Sequence, residues 1–95
     1  MAKGDVKAGI SAGVADNGYM TVQPASGEEW CILGVWYEGA VELYLTDGTN
    51  DIKFDSDTGA GYWVGRLPLT NTTYLKVKNV SGSAQDMGYT GYQTK

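Results

Sequence analysis

Aspartates form the densest group of side chains in this sequence that could bind a metal ion. They follow one another closely near the middle of the chain, at Asp47, Asp51, Asp55 and Asp57. The segment Asp55-x-Asp57-x-Gly59 resembles the start of an EF-hand calcium loop, which supplies several oxygens from one short loop. Such a loop needs a bidentate Glu at its twelfth position, and that position is Arg66 here. We therefore interpret the aspartates as turn residues, with a weak calcium site as the alternative.

Two glutamates could serve as the acid and the base of a glycosidase. Glu38 and Glu42 are close in sequence, and glycoside hydrolysis needs two carboxylates about 5–10 Å apart in a cleft. A chain of 95 residues leaves little room for such a cleft, and the absence of His removes the commonest general base and metal ligand. Cys31 lies between Trp30 and Ile32, which is typical of a buried hydrophobic residue. We predict no enzymatic activity, no bound metal and no cofactor.

The composition indicates one globular domain that is rich in turns. The chain has 95 residues, of which 42% are hydrophobic and 19% are charged, and it contains 14 glycines. Its net charge is −4 and its basic residues are scattered, which argues against nucleic acid as a partner. No apolar run approaches the ~18 residues of a membrane-spanning helix, so we expect no membrane association and no signal peptide. A single Cys excludes an internal disulfide and is compatible with synthesis in a reducing cytoplasm.

Alternation of apolar and polar residues with a period of two predicts an all-β protein. We count about eight short strands spaced roughly ten residues apart, the spacing of an antiparallel β-sandwich of the jelly-roll or Ig-like type. The predicted strands cover residues 6–14, 19–23, 30–37, 41–46, 51–54, 62–67, 72–80 and 87–93. Pro68 should end the sixth strand, and residues 55–61 should form the longest exposed loop. Ile52 and Phe54 should point into the core.

The first predicted strand differs from the others because its side chains are small. Val6, Ile10 and Val14 share one face with two alanines, whereas Gly9 and Gly13 lie on the other face. Such a strand has little area to bury, so it should be an edge strand or an extended arm that needs a neighbour. We therefore divide the chain into residues 1–18, an N-terminal arm or edge strand, and residues 19–95, a single β-sandwich domain.

Aromatic residues make up 12% of the chain. Residues 30–37 are apolar on both faces, which favours a strand with one face in the core and the other in an interface. Exposed aromatic side chains can anchor protein interfaces, and they can also stack on sugars. The candidate interface residues are Val6, Ile10, Val14, Trp36, Tyr62, Trp63, Tyr89 and Tyr92.

Four segments carry a resemblance to a known family. They are residues 21–30 (TVQPASGEEW), 38–44 (EGAVELY), 47–50 (DGTN) and 53–59 (KFDSDTG). Over residues 19–95 the chain resembles the small β-sandwich virion proteins of tailed bacteriophages, in particular head decoration proteins. The resemblance implies a protein of the virion, located on the capsid surface and assembled in the host cytoplasm. It also implies a homo-oligomer, with a trimer as the expected form, that binds the major capsid protein and has no catalytic residue.

Three classes of function are therefore compatible with the sequence. A capsid decoration protein accounts for the strand that is apolar on both faces and for the many aromatic residues. A carbohydrate- or receptor-binding module, with a glycan as partner, predicts a row of aromatic side chains on one exposed face. An adaptor or inhibitor of a host protein would have much the same sequence features.

Overall fold

The computed structural model describes residues 3–95, whose regular structure consists of eight β-strands without a helix. In chain order the strands are β1 (Val6–Val14), β2 (Tyr19–Val22), β3 (Glu29–Tyr37), β4 (Val41–Thr46), β5 (Asp51–Asp57), β6 (Gly61–Thr70), β7 (Tyr74–Asn79) and β8 (Gln85–Gln93). The predicted all-β class is confirmed. Over the same residues, no helix is long and apolar enough to cross a membrane.

The strands form two four-stranded sheets. Sheet A has the strand order β1-β8-β3-β6, and sheet B has the order β2-β7-β4-β5. Every pair of neighbouring strands is antiparallel. Most consecutive strands therefore lie in different sheets, and the arrangement is compatible with a β-sandwich.

A single apolar core takes side chains from both sheets. Its buried members are Met20, Val22, Ile32, Val35, Tyr37, Val41, Leu43, Leu69, Leu75, Val77 and Met87. The alternation of each strand explains this distribution, as in β7, where Leu75 and Val77 are buried and Lys76 lies on the opposite face. Full burial of one such aliphatic side chain stabilises the fold by roughly 1.5–3 kcal/mol.

Buried polar side chains connect three turns at one end of the molecule. The Asn79 Nδ2 donates hydrogen bonds to the carbonyl oxygens of Val14, at 2.8 Å, and Ser83, at 2.7 Å. The Asn79 Oδ1 accepts a hydrogen bond from the Gln85 Nε2 at 2.8 Å. The Gln85 Oε1 in turn accepts the backbone N–H of Glu38 at 3.0 Å. The network satisfies groups that would be costly to bury alone, and it fixes the turn that carries Glu38.

The structure corrects the predicted loop at residues 55–61. β5 continues through Asp57 and β6 begins at Gly61, so the connection consists of residues 58–60. Asp55 pairs with Leu43, and Asp57 pairs with Val41. The backbone hydrogen bonds to β4 therefore outweigh the turn preference of the aspartates.

β6 also continues beyond Pro68 to Thr70, because β6 is an edge strand and a proline is tolerated there.

The expectation that Ile52 and Phe54 enter the core is wrong. Ile52 pairs with Leu45, which packs against the core, but Ile52 itself is 65% exposed. Phe54 is also exposed, and its ring makes a T-shaped contact with the Trp63 ring at a centroid distance of 5.9 Å. The physical reason is the position of β5, which is the last strand of sheet B.

β1 pairs with β8 of the same chain, from Val6 opposite Tyr92 to Val14 opposite Gln85. The ladder is irregular near Gly13, whose φ of 62° favours glycine. On the inner side, the Lys7 Nζ lies 5.0 Å from the centre of the Trp30 ring. Residues 6–14 therefore form an edge strand in the single chain. Exchange of this strand as an arm between chains remains a proposal, and Met1 and Ala2 lie outside the described residues.

Candidate functional site

The register of sheet A places a set of apolar side chains on the face that points away from the core. Ile10 and Trp36 both pair with Gly88, and Trp36 also pairs with Tyr62. Residues directly opposite each other in antiparallel strands point to the same side. The neighbouring row on this side contains Val64. We call this surface the outer face of sheet A, and its large exposed members are Val6, Ile10, Leu33, Trp36, Tyr62 and Val64.

The outer face of sheet A is unusually apolar for a surface in contact with water. Val6 is 76% exposed, Ile10 is 81% exposed, Tyr62 is 64% exposed and Val64 is 63% exposed. Four strands about 4.8 Å apart, with outward side chains repeating every ~6.8 Å, give the patch an area of roughly 400 Å². An exposed apolar patch of several hundred Å² typically marks an interaction site.

Two glycines shape this face. A Cβ at residue 34 would lie 2.5 Å from the Trp36 Cη2, so the indole ring lies directly over Gly34. A Cβ at residue 88 would lie 3.0 Å from the Gly9 carbonyl oxygen and 3.5 Å from the Ile10 Cγ1. Because Gly88 has no side chain, the surface between Ile10 and Trp36 is open.

A groove of about 610 Å³ occupies this opening. Its apolar walls include Ile10 and Trp36, and Gly88 lies between them. Glu38 and Asp86 also line it, two residues beyond Trp36 and two residues before Gly88 respectively. We call this feature the Gly88 groove. It combines an apolar floor and an exposed indole with two carboxylates at one end.

The two carboxylates of the groove accept hydrogen bonds from backbone groups. The Asp86 Oδ1 accepts the N–H of Gly13 at 2.8 Å, and the Glu38 Oε1 accepts the N–H of Asp86 at 2.9 Å. The four ion pairs found among residues 3–95 involve other carboxylates. The acidic end of the groove therefore has no basic side chain from the described part of its own chain.

The structure brings five of the eight candidate interface residues to the outer face of sheet A. They are Val6, Ile10, Trp36, Tyr62 and Tyr92. The other three, Val14, Trp63 and Tyr89, are partly buried against the core. Alternation separates Trp63 from its neighbour Tyr62, since adjacent residues of a strand point to opposite faces.

Sequence reasoning missed Val64, Leu33 and the Gly88 groove. The signal for Val64 was present, because it lies two residues after Tyr62 and therefore on the same face. Leu33 is exposed because it lies at an irregularity in the pairing of β3, between Ile32 and Gly34. Cys31 is buried and free, as predicted.

The aspartates considered for calcium each bond to nearby protein groups. The Asp47 Oδ1 accepts the N–H groups of Asn50, at 2.6 Å, and Thr49, at 2.9 Å, and these bonds lower the pKa of Asp47. The pKa of Asp51 is lowered first by its hydrogen bond from Thr46 and then by Lys76. Among residues 3–95, no three acidic or sulfur-bearing side chains form a group that could hold a metal ion.

The proposed pair of glutamates is divided between different surroundings. Glu38 lines the Gly88 groove, whereas Glu42 lies in β4 of sheet B. Glu42 accepts a hydrogen bond from the Tyr44 hydroxyl, which lowers the pKa of Glu42. It also lies 3.6 Å from the Lys53 Nζ. The two carboxylates therefore do not share one cleft.

Comparisons with known proteins add no family assignment to this geometry. No protein-family model matches the chain, and the search of curated proteins finds no significant match. The strand arrangement, the outer face of sheet A and the Gly88 groove are the features of the molecule that bear on its function.

Proposed function

We propose that the protein is a structural subunit of a virus particle that decorates the head of a tailed bacteriophage by binding its major capsid protein. The single observation that carries this proposal is the apolar outer face of sheet A. Four of its side chains are between 63% and 81% exposed, and covering such a patch with another subunit is favourable. The protein acts on the virion surface after assembly in the host cytoplasm.

The strand order supports a jelly-roll form of the sandwich. Eight strands divided as β1-β8-β3-β6 and β2-β7-β4-β5 fit two Greek keys wrapped around one core. Jelly rolls are frequent in viral capsid proteins and in lectins. Because one fold hosts many functions, the strand order narrows the possible functions of the protein but does not identify one by itself.

The apolar outer face of sheet A supports the proposal that the protein is a homo-oligomer, and a trimer is the form that the resemblance to decoration proteins implies. An exposed apolar patch of roughly 400 Å² is in the size range that marks interaction sites, and covering it with a second copy removes apolar surface from water. The part of the outer face of sheet A that stays exposed in the oligomer is then available to the major capsid protein.

Residues 1–18 are the proposed attachment segment. β1 pairs with β8 along one side only, so the backbone groups of its other side are open. A strand of a neighbouring subunit or of the capsid can add to such an edge. Ala8 and Ala12 have small side chains and Gly9 has none, so that neighbour can approach closely.

Co-sedimentation with capsid shells assembled from the major capsid protein tests the function. We expect the wild-type protein to pellet with the shells, and a Tyr62→Asp variant to remain in the supernatant. Ile52→Asp is a matched control, because Ile52 is equally exposed but lies in sheet B. Failure of the wild-type protein to pellet at micromolar concentration would contradict the proposal.

A carbohydrate-binding module is the second candidate, favoured by one specific observation. The exposed side chains of Trp36 and Tyr62 are neighbours on the outer face of sheet A, and Trp36 lines a groove with two carboxylates. Aromatic faces can stack on sugar rings while carboxylates accept hydroxyl hydrogen bonds. Titration with oligosaccharides would then change the tryptophan fluorescence of a protein that remains monomeric, and a Trp36→Ala variant would lose the change.

A further inference from the structure

Arg66 lies at one margin of the outer face of sheet A. It is the only arginine of the sequence, and it is exposed on the edge strand β6. Its neighbour Leu67 packs against the core, so Arg66 points outward. Four lysines form ion pairs with carboxylates among residues 3–95, but no such pair involves Arg66.

The acidic end of the Gly88 groove lies toward the opposite margin of the same sheet. Asp86 belongs to β8, which is separated from β6 by β3. Each groove carboxylate receives a backbone N–H but can accept several hydrogen bonds. Within residues 3–95, one margin therefore carries an arginine that forms no ion pair, and carboxylates that form no ion pair lie toward the other margin.

We propose that Arg66 of a neighbouring copy of this chain enters the Gly88 groove and forms an ion pair with Asp86. The inference rests on the proposed self-association and adds the residues that direct it. The methylene groups of the arginine would pack between Ile10 and Trp36, and its guanidinium can stack on the indole ring. A planar guanidinium also suits a carboxylate, with Glu38 available as a second acceptor.

Charge complementarity selects a second copy as the occupant of the groove. Both halves of the contact are present on each chain, and both lie on the same apolar face. Arg66 and the groove lie toward opposite margins of sheet A, so the contact can join copies head to tail. Head-to-tail contacts close into a ring when the rotation between copies permits it.

Exchanging the charges of Arg66 and Asp86 tests this contact, and sedimentation velocity measures the dissociation constant of the oligomer. We expect Arg66→Glu and Asp86→Arg each to raise the dissociation constant of the oligomer by at least about tenfold. The double variant, which carries both changes, should recover most of the wild-type affinity because the pair is restored in reverse. Lys78→Glu is the control for net charge, since Lys78 lies in sheet B, and it should leave the affinity unchanged.

Asp86 also binds the Gly13 N–H, so its replacement could disturb folding. A second set of variants therefore distinguishes loss of the contact from loss of folding. Asp86→Asn keeps an oxygen for that bond, and Arg66→Gln keeps a polar side chain. If the two residues pair, the double neutral variant should associate about as well as either single variant. Thermal unfolding of each variant shows that the chain is folded.

The outcomes separate this inference from the proposed function. If the charge variants retain the wild-type mass and affinity, or if neither double variant shows coupling, the Arg66 contact is wrong while self-association stands. If the wild-type protein is a monomer at micromolar concentration, both proposals fall.

Discussion

The indole ring of Trp36 lies over Gly34 on the outer face of sheet A. A Cβ at residue 34 would lie 2.5 Å from the Trp36 Cη2 and 2.9 Å from its Cζ3. The six-membered ring of Trp36 therefore extends over Gly34, and Trp36 is only partly exposed. The position of this ring sets one wall of the Gly88 groove.

Replacement of Gly34 by Ala should displace the Trp36 ring. We expect the free energy of unfolding to fall by about 1–3 kcal/mol, because the added methyl group overlaps the ring. Urea unfolding measures this change, and tryptophan fluorescence reports the altered ring. Gly59→Ala is the matched control, since no atom lies within 4 Å of a Cβ at that position. Equal stability of both variants would contradict the close packing of the Trp36 ring over Gly34.

Asn79 should be among the polar residues on which folding depends most. Its fully buried amide bonds to Val14, Ser83 and Gln85. Asn79→Ala leaves these partners unsatisfied, so we expect a loss of about 2–4 kcal/mol in the free energy of unfolding. Gln23→Ala, at an exposed position with a single hydrogen bond, should cost no more than about 0.5 kcal/mol. Denaturant titration measures both losses, and similar values would overturn the role given to Asn79.

Tyr37 should make the stability of the protein depend on alkaline pH. Burial of the side chain, followed by its 2.9 Å hydrogen bond to Asp57, raises the pKa of Tyr37 from 10.0 to about 12. The folded state therefore favours the neutral phenol. This stabilisation is complete below pH 10 and is lost as the pH rises through 12.

The Tyr37→Phe variant isolates this contribution, because phenylalanine does not titrate. We expect the difference in free energy of unfolding between wild type and variant to shrink between pH 10 and pH 12. Tyr44, whose pKa is also raised to about 12 through its hydrogen bond to Glu42, is retained in both proteins. A constant difference over this range would show that Tyr37 does not contribute to the pH dependence.

Calcium should leave the melting temperature of the protein unchanged. Asp47 binds the backbone of its own turn, Asp51 pairs with Lys76, and Asp57 accepts the Tyr37 hydroxyl. These contacts compete with a shared cation. Differential scanning calorimetry with millimolar calcium or with EDTA measures the effect, and a rise of several degrees in calcium would show that the carboxylates are ligands.

The strands could be predicted from the sequence, because apolar residues at every second position are typical of a β-strand with one face in the core. The limits of β5 were not readable, since Asp55 and Asp57 favour turns locally and only their pairing with β4 extends the strand. The prediction that Pro68 ends the sixth strand was wrong for a similar reason. A sheet tolerates a proline in an edge strand, and the sequence does not show that β6 is an edge strand.

Only part of the candidate site could be predicted from the sequence, for a related reason. Ile10, Trp36 and Tyr62 were identified as separate residues, but their meeting on one face depends on the strand order of sheet A. Sequence alternation within one strand carries no information about which strands are neighbours. The Gly88 groove depends on a missing side chain between two strands, and it therefore appears only when β1 and β3 both flank β8.

Self-association through the outer face of sheet A is the central claim, and the mass of the protein in solution tests it most directly. Light scattering at micromolar concentration should give about 31 kDa for a trimer, three times the 10.2 kDa of one chain. Ile10→Asp should reduce the mass to that of one chain, because a carboxylate would be buried in an apolar contact. Ile52→Asp, on sheet B, should leave the mass unchanged. A wild-type protein that stays at 10.2 kDa, or an Ile10→Asp variant that keeps the wild-type mass, would contradict the claim.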